Sequence, residues 1–422
     1  MREKMIYLLL ILVTGGVYGQ TPLPQAQDLF RQGKFVEVEK LFGDVLVKEP
    51  GNFEALLGLG KLRLYANRLA EAETLLRKAM ETKPDEAPPK LLLGELYCRL
   101  NRFADAEPMF RAAGRTATAE KLAGFAGQAP YLIEGRAAET IVPFVQTDPL
   151  PVVSLRLNGK EGFFLIDTGG PELIVAPEFA VEAGARKIVE VPSGGMMAGG
   201  KPAPPSVYAA VDRLQIGDFT LRHVPVMITE ANLDKLPGFA KPLSGILGTV
   251  LLSRFTFSLD YPAGRLQLRR READGHPAKE HPRQEGGTSM PFWLAGDHFI
   301  LAQGTINGSE PHLYFIDTGL IGGGLTLPES MIKEAGIELS TETQTGIGGG
   351  GEVPIRNFVA REVTLGGVRA AEVKGVFGAI TPAMEYMLGF RLAGIISHDF
   401  LKPYKVTFDF DAMRLILQAP NK

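Results

Sequence analysis

From about residue 135 to its C-terminus the chain is written twice. Leu157-Asn158-Gly159 returns as Ile306-Asn307-Gly308, Ile166-Asp167-Thr168-Gly169 as Ile316-Asp317-Thr318-Gly319, and Gly245-Ile246-Leu247 as Gly394-Ile395-Ile396. Further on, Ser258-Leu259-Asp260-Tyr261 returns as Thr407-Phe408-Asp409-Phe410, and Arg265-Leu266-Gln267-Leu268 as Arg414-Leu415-Ile416-Leu417. The offsets are 149, 150, 149, 149 and 149 residues. One register held over five landmarks requires two copies of a single lobe, so a chemical group at one place has a counterpart at the other. Each lobe reads as short strands: Phe163-Phe164-Leu165-Ile166 and Leu313-Tyr314-Phe315-Ile316 are apolar runs of buried-strand length, and both stop at Asp-Thr-Gly. The Gly-rich stretches 193–200 and 346–351 read as mobile hairpins. The charged, Pro- and Gly-containing segment 269–287 reads as the linker between lobes.

The first part of the chain repeats at a shorter period. Gln32-Gly33-Lys34-Phe35, Asn67-Arg68-Leu69 and Asn101-Arg102-Phe103 mark turns 34 residues apart; Pro50 and Pro84 keep the same spacing. The small residues Ala26, Gly60 and Gly94 share one register, and Val38, Ala72 and Ala106 another. Small side chains at fixed places let paired helices approach closely, and Leu41, Leu75 and Met109 are expected to fill the core between them. This pattern resembles the tetratricopeptide repeat, a helix–turn–helix unit that stacks into a solenoid, although the Trp of the early motif position is missing. The resemblance implies about three units over 22–120, with a groove open to a protein partner or a spacer packed on the next domain.

Composition narrows the classes of function. Apolar residues make up 45% and charged residues 22%, a globular balance. With 45 Lys plus Arg against 48 Asp plus Glu and no basic, aromatic face, nucleic acid is not expected as a partner. Cys98 is the only cysteine, which excludes an intrachain disulfide, a cysteine zinc site and an iron–sulfur cluster; it reads as a small buried apolar side chain. The six histidines show no ligand spacing, so neither a metal nor another cofactor is expected. Arg2 and Lys4, the apolar run Met5–Val13 and small residues up to Gly19 read as a secretory signal over 1–19, cut near Gln20. The run is shorter than the roughly 20 apolar residues that span a bilayer. The expectation is export to the periplasm or beyond, with no stable membrane insertion after cleavage.

Apolar-apolar-Asp-Thr-Gly followed about 78 residues later by apolar-apolar-Gly, present in lobe one and again in lobe two with Ser397 for the last glycine, resembles the retropepsin-like aspartic proteases over residues 135–418. Hydrolysing a peptide with neither metal nor covalent intermediate needs one carboxylate to activate water and one carboxylic acid to polarise the carbonyl. Two carboxyls a few ångströms apart do this by sharing a proton. The resemblance therefore implies Asp167 and Asp317 as the catalytic pair, one from each lobe. It implies that Thr168 and Thr318 bind the two loops together and that Gly169 and Gly319 make room for tight turns. It also implies that the hairpins carrying Gly194, Gly195, Gly348 and Gly349 are flaps over an extended peptide substrate. The chain departs from the family pattern in three places. Gly170 and Leu320 follow the two motifs, Ser397 stands where lobe one has Gly248, and neither flap shows a Tyr at its tip, although Tyr208 is near.

The expected fold class is multidomain, α plus all-β: an α-helical tetratricopeptide-type solenoid ahead of two pseudo-two-fold-related retropepsin-like lobes. The division is a signal peptide (1–19), helical repeats (22–120), a linker (121–134), lobe one (135–268), a linker (269–287) and lobe two (288–420). The expected function is an exported aspartic endopeptidase whose solenoid recruits substrate or partner; the alternative is a catalytically silent peptide-binding protein of the cell envelope. On this division a chain starting near Ala129 should fold and cleave short peptides unaided.

Overall fold

The computed structural model describes residues 22–192, 204–229, 233, 236, 238–271, 287–348, 351–380 and 382–420. The signal segment 1–19 lies outside them. Among the described residues no helix is long and apolar enough to cross a membrane.

The chain begins with antiparallel helices α1 (Leu23–Arg31), α2 (Phe35–Lys48), α3 (Phe53–Tyr65), α4 (Leu69–Thr82), α5 (Ala87–Arg99), α6 (Phe103–Ala112) and α7 (Thr116–Ala123). The 34-residue period has a backbone cause. Gly33, Asn67 and Asn101 all take left-handed φ values, 75°, 55° and 57°, in the tight turns between the helices of each unit; Gly and Asn tolerate that conformation best. A Cβ at Gly94 would lie 2.8 Å from the Phe110 ring, so the small position in the first helix admits the aromatic of the second. The core positions sit one residue beyond those expected. Phe42, Leu76 and Phe110 are buried, whereas Leu41, Leu75 and Met109 are half-buried. The reason is helical periodicity: Val38, Ala72 and Ala106 set the inner face, and the residue four further on stays on it more squarely than the residue three further on.

Lobe one holds β1 (Leu132–Glu134), β2 (Glu139–Pro143), β3 (Val152–Leu157), β4 (Lys160–Ile166), β5 (Leu173–Val175), α8 (Pro177–Glu182), β6 (Arg186–Val191), β7 (Ser206–Ile216), β8 (Phe219–Thr229), β9 (Gly245–Leu247), α9 (Thr249–Leu252), β10 (Phe255–Asp260) and β11 (Arg265–Arg270). Lobe two holds β12 (Gly287–Ala295), β13 (Phe299–Ile306), β14 (His312–Asp317), β15 (Leu325–Leu327), α10 (Glu329–Glu334), β16 (Leu339–Gly348), β17 (Gly351–Leu365), β18 (Val368–Phe377), α11 (Pro382–Leu388), β19 (Gly394–Ser397), α12 (His398–Leu401), β20 (Lys405–Asp409) and β21 (Arg414–Gln418). The repeated Asn-Gly dipeptides turn the same hairpin in each lobe, with φ of 47° and 86° at Asn158-Gly159 and 51° and 82° at Asn307-Gly308.

The lobes meet by continuing one sheet. Strands β10 and β20 pair antiparallel, with Ser258 opposite Thr407 and their hydroxyls 2.7 Å apart. Since Thr407 is the repeat counterpart of Ser258, the pseudo-two-fold axis passes through that pair. Phe257 and Phe408 stack beside it with ring centroids 4.5 Å apart.

Two expectations about boundaries change. Residues 121–134, expected as a linker, contain the end of α7 and strand β1, which pairs with β8 of lobe one. Of the segment 269–287, Arg269 and Arg270 belong to β11 and Gly287 to β12, while 272–286 lie outside the described residues.

The helical repeats do not stand apart from the lobes. A single apolar cluster runs from Leu64, Leu93 and Phe103 through Phe164 and Phe219 to Phe408 and Leu417, and a second unites Phe35, Leu59 and Leu62 with Trp293, Leu313 and Phe390. Phe35 makes edge-to-face contacts with Trp293 and Phe390, at 5.6 and 5.1 Å. Arg99 donates to the carbonyls of Leu294 and Gly296, both at 2.7 Å, and Arg254 of lobe one donates back to Arg99 O at 3.0 Å. Helices α3 and α5 are apolar around most of their circumference, which suits helices covered on two sides. Part of α1–α3 packs here on lobe two, as the spacer alternative expects.

Candidate active site

In each lobe the Asp-Thr-Gly loop leaves the end of a buried strand held by a parallel neighbour. Strand β4 pairs with β9, and Asp167 N–H donates to Leu247 O at 3.2 Å. Strand β14 pairs with β19, which puts Asp317 beside Ser397. The apolar residues before each Asp bury the strand, and the Gly after each Thr turns the chain away, so the carboxyl is left at the strand's end facing the other lobe.

The two loops are tied reciprocally. Thr168 N–H donates to Thr318 Oγ1 and Thr318 N–H to Thr168 Oγ1, each at 3.0 Å. Thr168 Oγ1 then donates to Ile316 O at 2.9 Å and Thr318 Oγ1 to Ile166 O at 3.3 Å. Both threonines are fully buried, so each hydroxyl uses its donor and an acceptor position across the lobe boundary.

This tie brings Asp167 and Asp317 together. Each accepts the N–H of the Gly two residues on, Gly169 at 2.7 Å and Gly319 at 2.8 Å, and the two carboxyls hydrogen-bond to one another. Burial, followed by the negative charge of Asp167, holds the Asp317 carboxyl well above the usual carboxylate range. Burial also raises Asp167, but the hydrogen bond from Asp317 and the N–H groups of Gly169 and Gly170 oppose it. The pair therefore keeps one proton shared between two carboxyls.

The glycines serve the opposite lobe. A Cβ on Gly169 would lie 2.5 Å from Asp317 Cγ, and one on Gly319 would lie 2.1 Å from Asp167 Cγ. Gly319→Ala should therefore displace the Asp167 carboxyl and lower kcat by about a hundredfold or more with near-ultraviolet circular dichroism unchanged; kinetics beside that spectrum check it.

The departures from the family pattern each have a local explanation. At Gly248 a Cβ would meet Glu172 O at 2.3 Å, so only Gly fits. In lobe two Ser397 fits, since its Oγ donates to Gly323 O at 2.7 Å and its N–H to Gly324 O at 3.0 Å. Leu320 packs into the apolar cluster beneath the helical repeats. Gly348 forms the last pair of the β16–β17 hairpin, opposite Gly351; Gly349, Gly194 and Gly195 lie outside the described residues. Tyr208 sits on β7, the strand that follows the lobe-one Gly-rich stretch.

Two features had little sequence signal. Thr249 Oγ1 donates to Thr168 O at 2.8 Å and braces the first loop; its only hint was its place after Gly245-Ile246-Leu247-Gly248. The counterpart of Thr249 is His398, buried against Tyr261 at 5.1 Å between ring centroids, with neither ring nitrogen hydrogen-bonded; burial lowers its pKa. The other feature is Lys121, paired with Glu172 at the lobe-one loop.

Two lobes related by a pseudo-two-fold axis, each lending one Asp-Thr-Gly loop to a close carboxyl pair, define the acid-protease class of fold. Residues 153–251 and 302–396 each match the family model described as aspartyl protease, and residues 29–87 and 63–125 match that of the tetratricopeptide repeat. Two stretches of the chain thus match aspartyl protease domains, behind a stretch that matches tetratricopeptide repeats. No curated protein matches it.

Proposed function

We propose that the chain is an exported aspartic endopeptidase in which Asp167 and Asp317 act on one water and one peptide carbonyl. The observation that carries this reading is the reciprocal contact of the two loops, which leaves a buried Asp317 carboxyl hydrogen-bonded to a half-buried Asp167 carboxyl. In the attack, the ionised carboxyl takes a proton from water as the water oxygen adds to the carbonyl carbon. The protonated one donates to the carbonyl oxygen, and no metal or covalent intermediate is required. Thr168 and Thr318 keep the two Asp-bearing loops tied across the lobes, and the flap hairpins would pair with an extended peptide backbone. The packing of α3, α5 and their neighbours on the lobes supports a structural role for the helical repeats.

Turnover of a mixed peptide library by the full chain, absent from Asp167→Asn, tests the reading. Binding without cleavage would favour the silent peptide-binding alternative. The rate should be bell-shaped in pH. Activity needs one proton on the pair. It should rise only above the ordinary Asp value of 3.8, since Asp167 is raised, and should fall once Asp317, raised further, loses its proton. A raised carboxyl stabilises the fold below its unfolded pKa and loses that contribution as pH climbs through the folded one. Asp317→Asn should thus melt higher than the parent at neutral pH and lose the advantage toward pH 3, read by thermal scans.

A further inference from the structure

We propose that Lys121, carried by the last helix of the repeat region, is a positioning residue for the loop that bears Asp167. The proposal rests on the peptidase reading above. Lys121 ion-pairs with Glu172, and the two side chains are only 11% and 10% exposed. Glu172 lies five residues beyond Asp167, and the segment between them is pinned along its length. Gly170 N–H donates to Asp167 O at 3.2 Å, while Gly170 O and Pro171 O accept from Thr249 N and Val250 N, both at 2.8 Å. A pull on the Glu172 carboxylate is therefore transmitted to the N–H groups that face Asp167.

The same ammonium stands 4.7 Å from the centroid of the Tyr208 ring, on the strand that follows the lobe-one Gly-rich stretch. Helix α7 meanwhile fits against β6: Gly124 approaches Ile188 so closely that a Cβ would lie 2.7 Å from it, and Arg186 donates to Gly124 O at 3.1 Å. One residue of the repeat region thus touches both the catalytic loop and the base of the flap hairpin. Tyr131, Cys98 and Arg254 lie within electrostatic reach of the pair. Burial is the largest influence and works against the Lys121 charge, but Glu172, Tyr131 and Tyr208 together outweigh it and the ammonium is held.

The lobe-two loop is held differently. That loop is two residues longer before its strand, Leu325 of β15 answering to Leu173 of β5, so the residue in the place of Glu172 is Gly324, which has no side chain to pair, and the loop is anchored by Leu320 in the cluster beneath α1–α3. A buried ion pair is no more stabilising than an apolar pair of the same size, so its stability does not explain it; a fixed geometry does.

The test compares the parent with Lys121→Met and with the double variant Lys121→Met/Glu172→Met, by thermal scans, by kcat and KM on a peptide the parent cleaves, and by carbon-13 NMR titration of the labelled Asp carboxyls. The single variant should lose stability, because Glu172 is left buried and unpaired. The double variant should regain it. In both, kcat should fall about tenfold or more with KM changed far less. The lower apparent pKa of the Asp pair should rise by about half a unit, because loosened Gly169 and Gly170 N–H groups no longer lower it. If the single variant does not fold, the double variant carries the test. A double variant with parental kcat and an unmoved Asp titration would overturn the proposal and leave the pair a structural contact. The Asp titration reads the loop whether or not peptides are cleaved, so a failure of the peptidase reading is told apart from a failure of this one.

Discussion

Mixing purified Asp167→Asn and Asp317→Asn proteins is expected to restore no peptide cleavage, each alone having lost about four orders of magnitude or more in kcat. Members of one catalytic pair act as a unit, so either Asn removes the whole shared-proton arrangement and not half of it. Complementation fails because the pair forms within one chain: Gly319 of the second loop lies against Asp167 and Gly169 of the first against Asp317. The β10–β20 pairing closes the same two lobes on each other behind the loops. Had like lobes paired between molecules, each single variant would keep one complete pair and about half the parental rate, falling on dilution. Rate against protein concentration for each variant and for the mixture decides the matter. Substantial, concentration-dependent activity in either single variant would remove Asp167 and Asp317 as partners.

The second large effect concerns the helical repeats. A chain of residues 129–422 is expected not to fold, contrary to what the division into repeats and lobes suggests from sequence. Removing α1–α7 uncovers Trp293, Leu313, Phe315, Phe390 and Leu392, all buried in the intact protein. At about 1.5–3 kcal/mol for each large apolar side chain, that loss alone reaches the whole stability of an ordinary domain, about 5–15 kcal/mol. Glu172 and Arg254 would also lose buried partners in Lys121 and in the carbonyls of Cys98 and Arg99. Near-ultraviolet circular dichroism and limited proteolysis of the truncated chain are the measurements. A sharp thermal transition in the truncated protein would show the lobes to be independent after all.

The lobes, the repeats and the paired carboxyls were legible in the sequence because each rests on a local rule repeated in register. Asn158-Gly159 and Asn307-Gly308 turn hairpins by their own backbone preferences. Gly33, Asn67 and Asn101 end helices in the same way, and an apolar run that stops at Asp-Thr-Gly reads as a strand whatever surrounds it. Duplication then required that Asp167 have a counterpart, and only Asp317 could be it. The small-residue registers likewise announced close helix packing, though not whether Leu75 or Leu76 would point inward, a difference of one residue that depends on how the next helix crosses.

What the sequence by itself determined is thus the set of elements, their order and the chemistry of the paired loops, all set by spacing along one strand or one helix. The tertiary structure alone decided what the repeats lean on. Phe35 meets Trp293 and Phe390 across more than 250 residues of chain, and Lys121 meets Glu172 beside the loop that bears Asp167. Such contacts carry no period and no local preference. They exist because an apolar helix face and an apolar lobe face must both leave water, and burying each against the other does so.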